Sequence, residues 1–408
     1  MRSGKEKVHL GFSLSAIIPP VPPLNLAIFR IALFLTLIRM VFRFNPVWFT
    51  RLPPELLLPP QGLHWAAAHL PCSAAVMSWL MMFFITACLF AVAGFHTRLA
   101  AFAAALLGTF VLGYPQLYGK VNHFQHLIWF AFLIAASPAP PALSLDAARE
   151  AMRRADCGDL SARPLSQAAG LTAFFVLLLI GVLYFFPGFW KMARGADWFW
   201  SDNIKWQLYH KWAEIPDVNP LFRIDRYWPL YKATGLGTVL FELLFFTVIF
   251  FPAMRPVYGM AGLAFHNSIG GIMRIPFFPL QSCYVIFFDW EKGFRRLGVF
   301  LFKERMTLIY DAQCKLCRRA IACLRVIDLL GQIDYVGNTD REGLRRHKAD
   351  FLPEEDLNRD IHALSGQKVW KGYDAYRALA WRMPFLWPSL RCFIFHPLRR
   401  PARRFTGA

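Results

Sequence analysis

Residues 176–198 read VLLLIGVLYFFPGFWKMARGADW, an apolar and aromatic run that ends on a single lysine. With the apolar residues that precede it from 168, the run is long enough to cross a bilayer, whose hydrocarbon core takes about 20 helical residues. In lipid the backbone must satisfy its own hydrogen bonds, so the segment reads as a helix. Lys191 tops that helix, flanked by Phe189, Trp190 and Met192. A lysine in this place ordinarily snorkels to the headgroups as an anchor. A chemical role needs support from elsewhere in the chain.

The same pattern recurs along the sequence. Of 408 residues, 56% are hydrophobic and 17% charged, with 40 Phe and 14 Trp, too apolar for an ordinary soluble enzyme of that length. Uncharged or nearly uncharged runs near residues 24–43, 75–94, 99–115, 124–137, 168–187, 234–252, 257–273 and 276–290 predict about eight spans. The expected fold class is therefore a polytopic α-helical membrane protein. The first run follows PPVPP and lacks a small-residue cleavage site, so no removable signal peptide is read.

A net charge of +19 would favour nucleic acid only without the spans. With them, the basic residues fit membrane lipids with anionic headgroups, and no nucleic-acid partner is expected. Arg2, Lys5 and Lys7, then Arg98, then Arg149, Arg153, Arg154 and Arg163, then Arg255, fall on alternate connections. The positive-inside rule makes those connections cytoplasmic, which predicts an integral protein of a bacterial inner membrane with both termini inside. Residues 188–233 hold several basic residues yet fall outside, as a long, aromatic and partly acidic loop can.

Composition changes after Glu291. Residues 292–304 form a basic, amphipathic connector expected to lie along the inner membrane surface. From 305 the pattern is soluble α/β: MTLIYDAQCKLCRRAIACLRVID reads as strand, turn and amphipathic helix, and QIDYVGN as a second strand. The expected domains are an N-terminal cytoplasmic segment (1–23), a membrane domain (24–291), the connector (292–304) and a C-terminal α/β domain with a basic tail (305–408).

Cys314 and Cys317 form C-x-x-C at the strand–helix junction. The positive end of the helix and the cations Lys315, Arg318 and Arg319 favour the reactive thiolate there. No second C-x-x-C or His pair follows at zinc spacing, so a redox pair outweighs a metal site and no metal is expected. YDAQCKLC, with the later WKGYDAYRALAWRMPFLWP, resembles the DCC thiol-disulfide oxidoreductase family, a thioredoxin-like group named for its Asp-x-x-Cys-x-x-Cys motif. Asp311, Cys314 and Cys317 match it; Ala312 stands where many members have Gly. The resemblance implies a thioredoxin-like fold over roughly 305–400, with Cys314 attacking a disulfide and Cys317 resolving the mixed disulfide.

Ionisable groups inside membrane segments point by default to function. Arg30 lies near an interface, where snorkelling is favoured; Glu242 lies one or two turns into its span and needs a partner or a proton; His266 and Asn267 fall in the middle of theirs. Asn122 and His123 open the fourth run. In the orientation above, His123 and Lys191 both sit at the outer face. Aromatic walls would desolvate the amine, favouring its neutral form as a base, with His123 as its hydrogen-bond partner.

YFFPGFWKMARGADW resembles the segment of vitamin K-dependent gamma-glutamyl carboxylase that carries its base. VNHFQH resembles that enzyme's Asn-His motif, and FHNSIGGIMRIPFFP its later Phe-His and Phe-Pro segment. The wider group is the horizontally transferred transmembrane (HTTM) domain family, and the resemblance covers about residues 20–295. It implies Lys191 as base, His123 as its partner and His266 as a third site position, with a reduced, vitamin K-like quinone as cofactor; the neighbouring Asn122, Trp190 and Asn267 are the candidate cofactor contacts, with Glu242 and Arg30 as supporting residues in the spans and Asp311 in the dithiol motif. In the carboxylase such a lysine deprotonates the reduced quinone, whose oxygenated product removes a proton from glutamate. This chain has one lysine, preceded by Trp190, where the carboxylase has two, and it lacks the large lumenal region that recognises peptide.

Three functions follow. The first is a membrane enzyme whose lysine base acts on a lipophilic quinol to modify a peptide or small substrate, coupled to the dithiol domain. The second is a membrane-anchored thiol-disulfide oxidoreductase with a redox protein partner. The third is a non-enzymatic maturation, immunity or export factor for a small peptide.

Overall fold

The computed structural model describes residues 18–59, 62, 72–119, 124–161, 164–195, 197–215, 218 and 220–388. These fall into two compact units: residues up to 92, 96–140 and 165–288 in the first, and residues 93–95, 141–164 and those from 289 onward in the second.

The first unit is helical. In chain order it contains α1 (Pro23–Phe44), α2 (Ala74–Ala93), α3 (Thr97–Val111) and α4 (Gln125–Ala136). The chain then leaves for the second unit through α5 (Leu145–Asp156). It returns as α6 (Gln167–Ala193), α7 (Asn203–Ala213), α8 (Trp228–Leu244) and α9 (Arg255–Met273), followed by a helical stretch Phe278–Phe287. Prolines occupy the first turns of α1, α8 and α9, where a missing amide costs nothing. Ser166 caps α6 by accepting the Ala169 N–H at 3.1 Å. Pro187 lies inside α6 and leaves the Leu183 carbonyl without its helical donor.

Among the described residues, four segments are long and apolar enough to cross a membrane: Pro23–Phe49, Ala74–Ala93, Thr97–Leu117 and Gln167–Ala193. Every other predicted run is also helical. However, α4 and Phe278–Phe287 are shorter, α8 has 17 residues, and α9 is diluted by His266, Asn267, Ser268 and glycines. Phe29, Leu33 and Phe34 of α1, Phe84 of α2, Phe130 of α4 and Leu177 of α6 form the interior. Phe42, Trp79, Phe83, Phe102 and Phe186 face outward, an apolar exterior suited to lipid.

The second unit contains α10 (Trp290–Leu301), β1 (Met306–Tyr310), α11 (Lys315–Ile327), β2 (Ile333–Gly337), α12 (Arg341–Arg346), α13 (Glu354–Arg359), β3 (His362–Ser365), β4 (Lys368–Lys371) and α14 (Tyr373–Arg382). Its mixed sheet has the order β2-β1-β3-β4, with β1 parallel to β2 and antiparallel to β3. All of β1 is buried, because both faces of the sheet are covered. Met306, Leu308 and Tyr310 point to one core with Ile321 and Leu379; Ile309 points to the other with Leu344 and Leu357.

One element of this unit comes from far away in sequence. Helix α5, capped by Ser144 on the Ala147 N–H, packs Ala151 and Ala155 against Ala322 of α11. The segment lies within the stretch that the sequence assigns to the membrane domain, 24–291, and groups here with the second unit. Short alanine side chains let the two helix backbones approach closely.

Candidate functional site

Positions 184, 188 and 191 lie four and then three residues apart, so Tyr184, Gly188 and Lys191 share one stripe of α6. That stripe faces α8. A Cβ on Gly188 would stand 2.8 Å from the Glu242 Cβ and 3.2 Å from the Leu243 nitrogen, so only glycine admits this approach. The close contact delivers Lys191: its Nζ donates to Glu242 Oε1 at 2.5 Å and Oε2 at 2.6 Å. The two side chains are 20% and 8% exposed, so the pair is largely shielded. The Trp198 ring lies 4.8 Å from the amine, close enough for a cation–π contact.

Seven residues back, roughly 10 Å along the helix, a second polar group sits on the same stripe. The Tyr184 hydroxyl lies 2.6 Å from His266 Nε2 and is also hydrogen-bonded to the Tyr284 hydroxyl. Gly262 makes room for the Tyr284 ring, which would stand 2.8 Å from an added Cβ. Phe277 stacks on the imidazole with centroids 4.4 Å apart. His266 Nδ1 is buried and has no hydrogen-bond partner among the described residues.

The structure thus brings together Lys191, Glu242 and His266 on one side of α6. Asn122 and His123 lie outside the described residues. Among the described residues the partner of the amine is the Glu242 carboxylate; His123, its expected partner, lies outside them. Trp190 is 62% exposed and rests against Phe189; the indole over the amine is Trp198. Asn267 is exposed, its Oδ1 accepting from Gln281 Nε2 at 3.0 Å. Arg30 is buried in α1, with Nη2 3.5 Å from the Val92 carbonyl. Tyr184, Tyr284 and Trp198 were missed in the sequence. Two of them are hydroxyls inside apolar runs, a signal weaker than a charge but of the same kind.

The dithiol is built at the end of β1. Asp311 Oδ1 accepts the N–H of Gln313 at 2.8 Å and of Cys314 at 3.2 Å, closing the turn. Ala312 keeps a negative φ, so the turn does not require the glycine common in the family. The Ala312 N–H donates to Asn338 Oδ1 at 3.0 Å, and its methyl is met across the turn by Gly337, where an added Cβ would stand 3.0 Å away. Cys314 caps α11, its Sγ accepting the Cys317 N–H at 3.2 Å. Hydrogen bonding from the Cys317 side chain and then from its backbone N–H holds the Cys314 thiol below its ordinary range, with Asp311 opposing. Burial pushes the Cys317 thiol up to about 11, helped by the neighbouring Cys314. Both cysteines are in the free form.

A family model for the HTTM domain matches residues 19–291, from α1 through Lys191, Glu242 and His266 to the start of α10. The chain belongs to the HTTM domain family. Residues 308–406 match the model for DCC1-like thiol-disulfide oxidoreductase, which takes in Cys314 and Cys317. No curated protein and no solved structure matches the chain. It is a membrane, redox-related protein: an HTTM domain of apolar helices joined to a small oxidoreductase domain with a mixed sheet.

Proposed function

We propose that this HTTM protein is a membrane redox enzyme with two working centres. In the helical unit, Lys191 and Glu242 take a proton from a lipophilic quinol. In the oxidoreductase unit, Cys314 and Cys317 exchange with a protein disulfide. The observation that carries the first part is the bidentate Lys191–Glu242 pair. A shielded ion pair among apolar helices is weak evidence for stability, since apolar side chains of similar volume would serve as well. Its use is the better explanation.

The residues fit a reduced quinone. Its ring suits the aromatic surroundings of Tyr184, Phe241, Phe245 and Phe277, and one of its two hydroxyls suits the unpartnered Nδ1 of His266, leaving the other for the Lys191–Glu242 pair. When bound, such a quinol supplies an acidic hydroxyl and two electrons. The protein's part is to hold the hydroxyl and receive its proton, which Glu242 can share with Lys191 across 2.5 Å. The finer form of the proposal is chemistry like that of the vitamin K-dependent carboxylase, directed at a peptide or small substrate on the outer face of about eight spans.

At the dithiol, the Cys314 thiolate attacks one sulfur of a partner disulfide and expels the other as thiolate. Cys317, losing its proton, then attacks Cys314 Sγ and releases the second partner sulfur. Two electrons pass to the partner and the chain keeps a Cys314–Cys317 disulfide. The Cys314 cap and the unequal environments of the two thiols favour a second reading, in which this exchange is the main activity and the helices serve as anchor.

Lys191→Ala and Cys314→Ser, compared in full-length protein in lipid nanodiscs, separate the two. The expected result is that Lys191→Ala slows oxidation of a reduced naphthoquinone by dissolved dioxygen, which accepts the two electrons, by about 100-fold or more, the usual worth of a general base, and leaves reduction of a small disulfide intact. Quinol oxidation at the wild-type rate in Lys191→Ala rejects the base and leaves the second reading.

A further inference from the structure

The dithiol helix α11 does not meet the loop helix α5 through alanines alone. The carboxylate of Asp156, the last residue of α5, holds the Arg319 guanidinium in two bonds of 2.8 and 2.6 Å and lies 4.0 Å from Lys315 Nζ. One residue earlier, the Ala155 carbonyl accepts from Arg318 Nε at 3.2 Å. The other end of that guanidinium donates to the carbonyls of Ala312 and Gln313 in the dithiol turn, at 2.8 and 3.2 Å. The three cations of the first turns of α11 are therefore occupied, wholly or in part, by the C-terminal turn of α5.

We propose that Asp156 is a positioning residue of the dithiol centre: by engaging Arg319 and Lys315 it withholds positive charge from Cys314 and so restrains the reactivity of the attacking thiol. The proposal rests on the reading that Cys314 attacks. Cations beside a thiol favour the thiolate, and an anion among them opposes it. Asp311 and Cys317 bond at Cys314 itself, Arg318 bonds the carbonyls of its turn, Lys315 and Arg319 follow it on the first turns of α11, and Asp156 reaches those two from α5. Asp340, three residues beyond β2, is engaged in capping α12. Asp156 alone among them comes from the loop between two membrane helices, which makes this loop part of the redox centre.

The test is the pH profile of iodoacetamide alkylation at Cys314, read peptide by peptide by mass spectrometry. It uses the full chain in nanodiscs at low salt, with Cys157→Ser to remove an exposed competing thiol. Asp156→Asn frees two cations, so the alkylation midpoint should fall by about 0.3–0.5 pH units, the size expected for exposed charges. Arg319→Gln leaves Asp156 without its main partner, so the midpoint should rise by a similar amount. Both shifts should shrink in 0.5 M salt. If α5 served only to brace α11, the two variants would loosen the same contact and move the midpoint in the same direction; that result, or no shift in either, overturns the proposal. Alkylation of Cys317 ahead of Cys314 in the parent protein would instead overturn the attacking-thiol reading itself.

Discussion

The two polar centres answer the same problem in opposite ways. Among the described residues Lys191 is paired with one anion, Glu242, held by both oxygens between helices that touch through Gly188. Around Cys314 there are several charges, each partly solvated, tied together by Asp311, Asp156 and the guanidinium of Arg318. In the apolar unit, with lipid outside, a charge is satisfied by its one partner or not at all. At the surface of the oxidoreductase unit, water replaces a lost partner at small cost. Similar substitutions in the two places should therefore differ greatly in effect.

The largest expected effect is on chemistry at the dithiol. Cys314→Ser should abolish disulfide reduction, whereas Cys317→Ser should still let Cys314 attack and should trap the mixed disulfide. The trapped adduct is visible by intact mass. Because Cys314 is held below its ordinary range and Cys317 is raised to about 11, alkylation near neutral pH should fall on Cys314 and reach Cys317 only as the pH approaches 11. Equal labelling of both at neutral pH would remove the asymmetry on which the roles rest.

Next comes the buried pair. Glu242→Ala leaves the Lys191 amine without its partner and should cost about 3–5 kcal/mol of stability, the usual penalty for breaking a buried pair. Thermal unfolding of the detergent-solubilised protein measures it. The double variant Lys191→Met with Glu242→Leu should recover most of that stability and none of the quinol chemistry. Recovery of both would mean that the pair is only scaffolding. Gly188→Ala probes the same contact from the backbone side. Its methyl would stand 2.8 Å from the Glu242 Cβ, and a forced separation of α6 from α8 should cost about 1–3 kcal/mol.

How much of this was legible in the sequence follows from range. Each apolar run produced a helix because span length and backbone satisfaction are local requirements. The strand–turn–helix around Cys314 was equally readable, since Asp311, Cys314 and Cys317 follow at three-residue steps, Asp311 bonding the Cys314 amide and Cys314 the Cys317 amide. Lys191 and Glu242 could each be flagged as out of place, but not joined. Their meeting depends on which faces of α6 and α8 touch, and that is decided by Gly188, a residue with no side chain to notice. The attachment of α5 to α11 was hidden for the same reason: alanines at 151, 155 and 322 give no pattern of their own. The tyrosines beside His266 read as ordinary aromatics in a chain with 40 Phe.

The smallest effect belongs to the surface of the oxidoreductase unit and is the control for the comparison. Arg305 holds Asp334 through two bonds, at 2.8 and 2.5 Å, and this hydrogen bonding lowers the carboxyl below its ordinary range. A carboxyl depressed on folding stabilises the protein above its unfolded value, about 3.9, and that contribution disappears as the pH falls through the folded value. Asp334→Asn should therefore lower stability at neutral pH by about 0.5–1 kcal/mol, after allowing for solvent screening. The gap from the parent protein should narrow as the pH falls below about 4, where both carry a neutral side chain. Thermal unfolding across that range, with and without 0.5 M salt, measures it. A loss as large as that of Glu242→Ala would show that exposure does not separate the two regions, and the contrast between buried and surface charge would have to be abandoned.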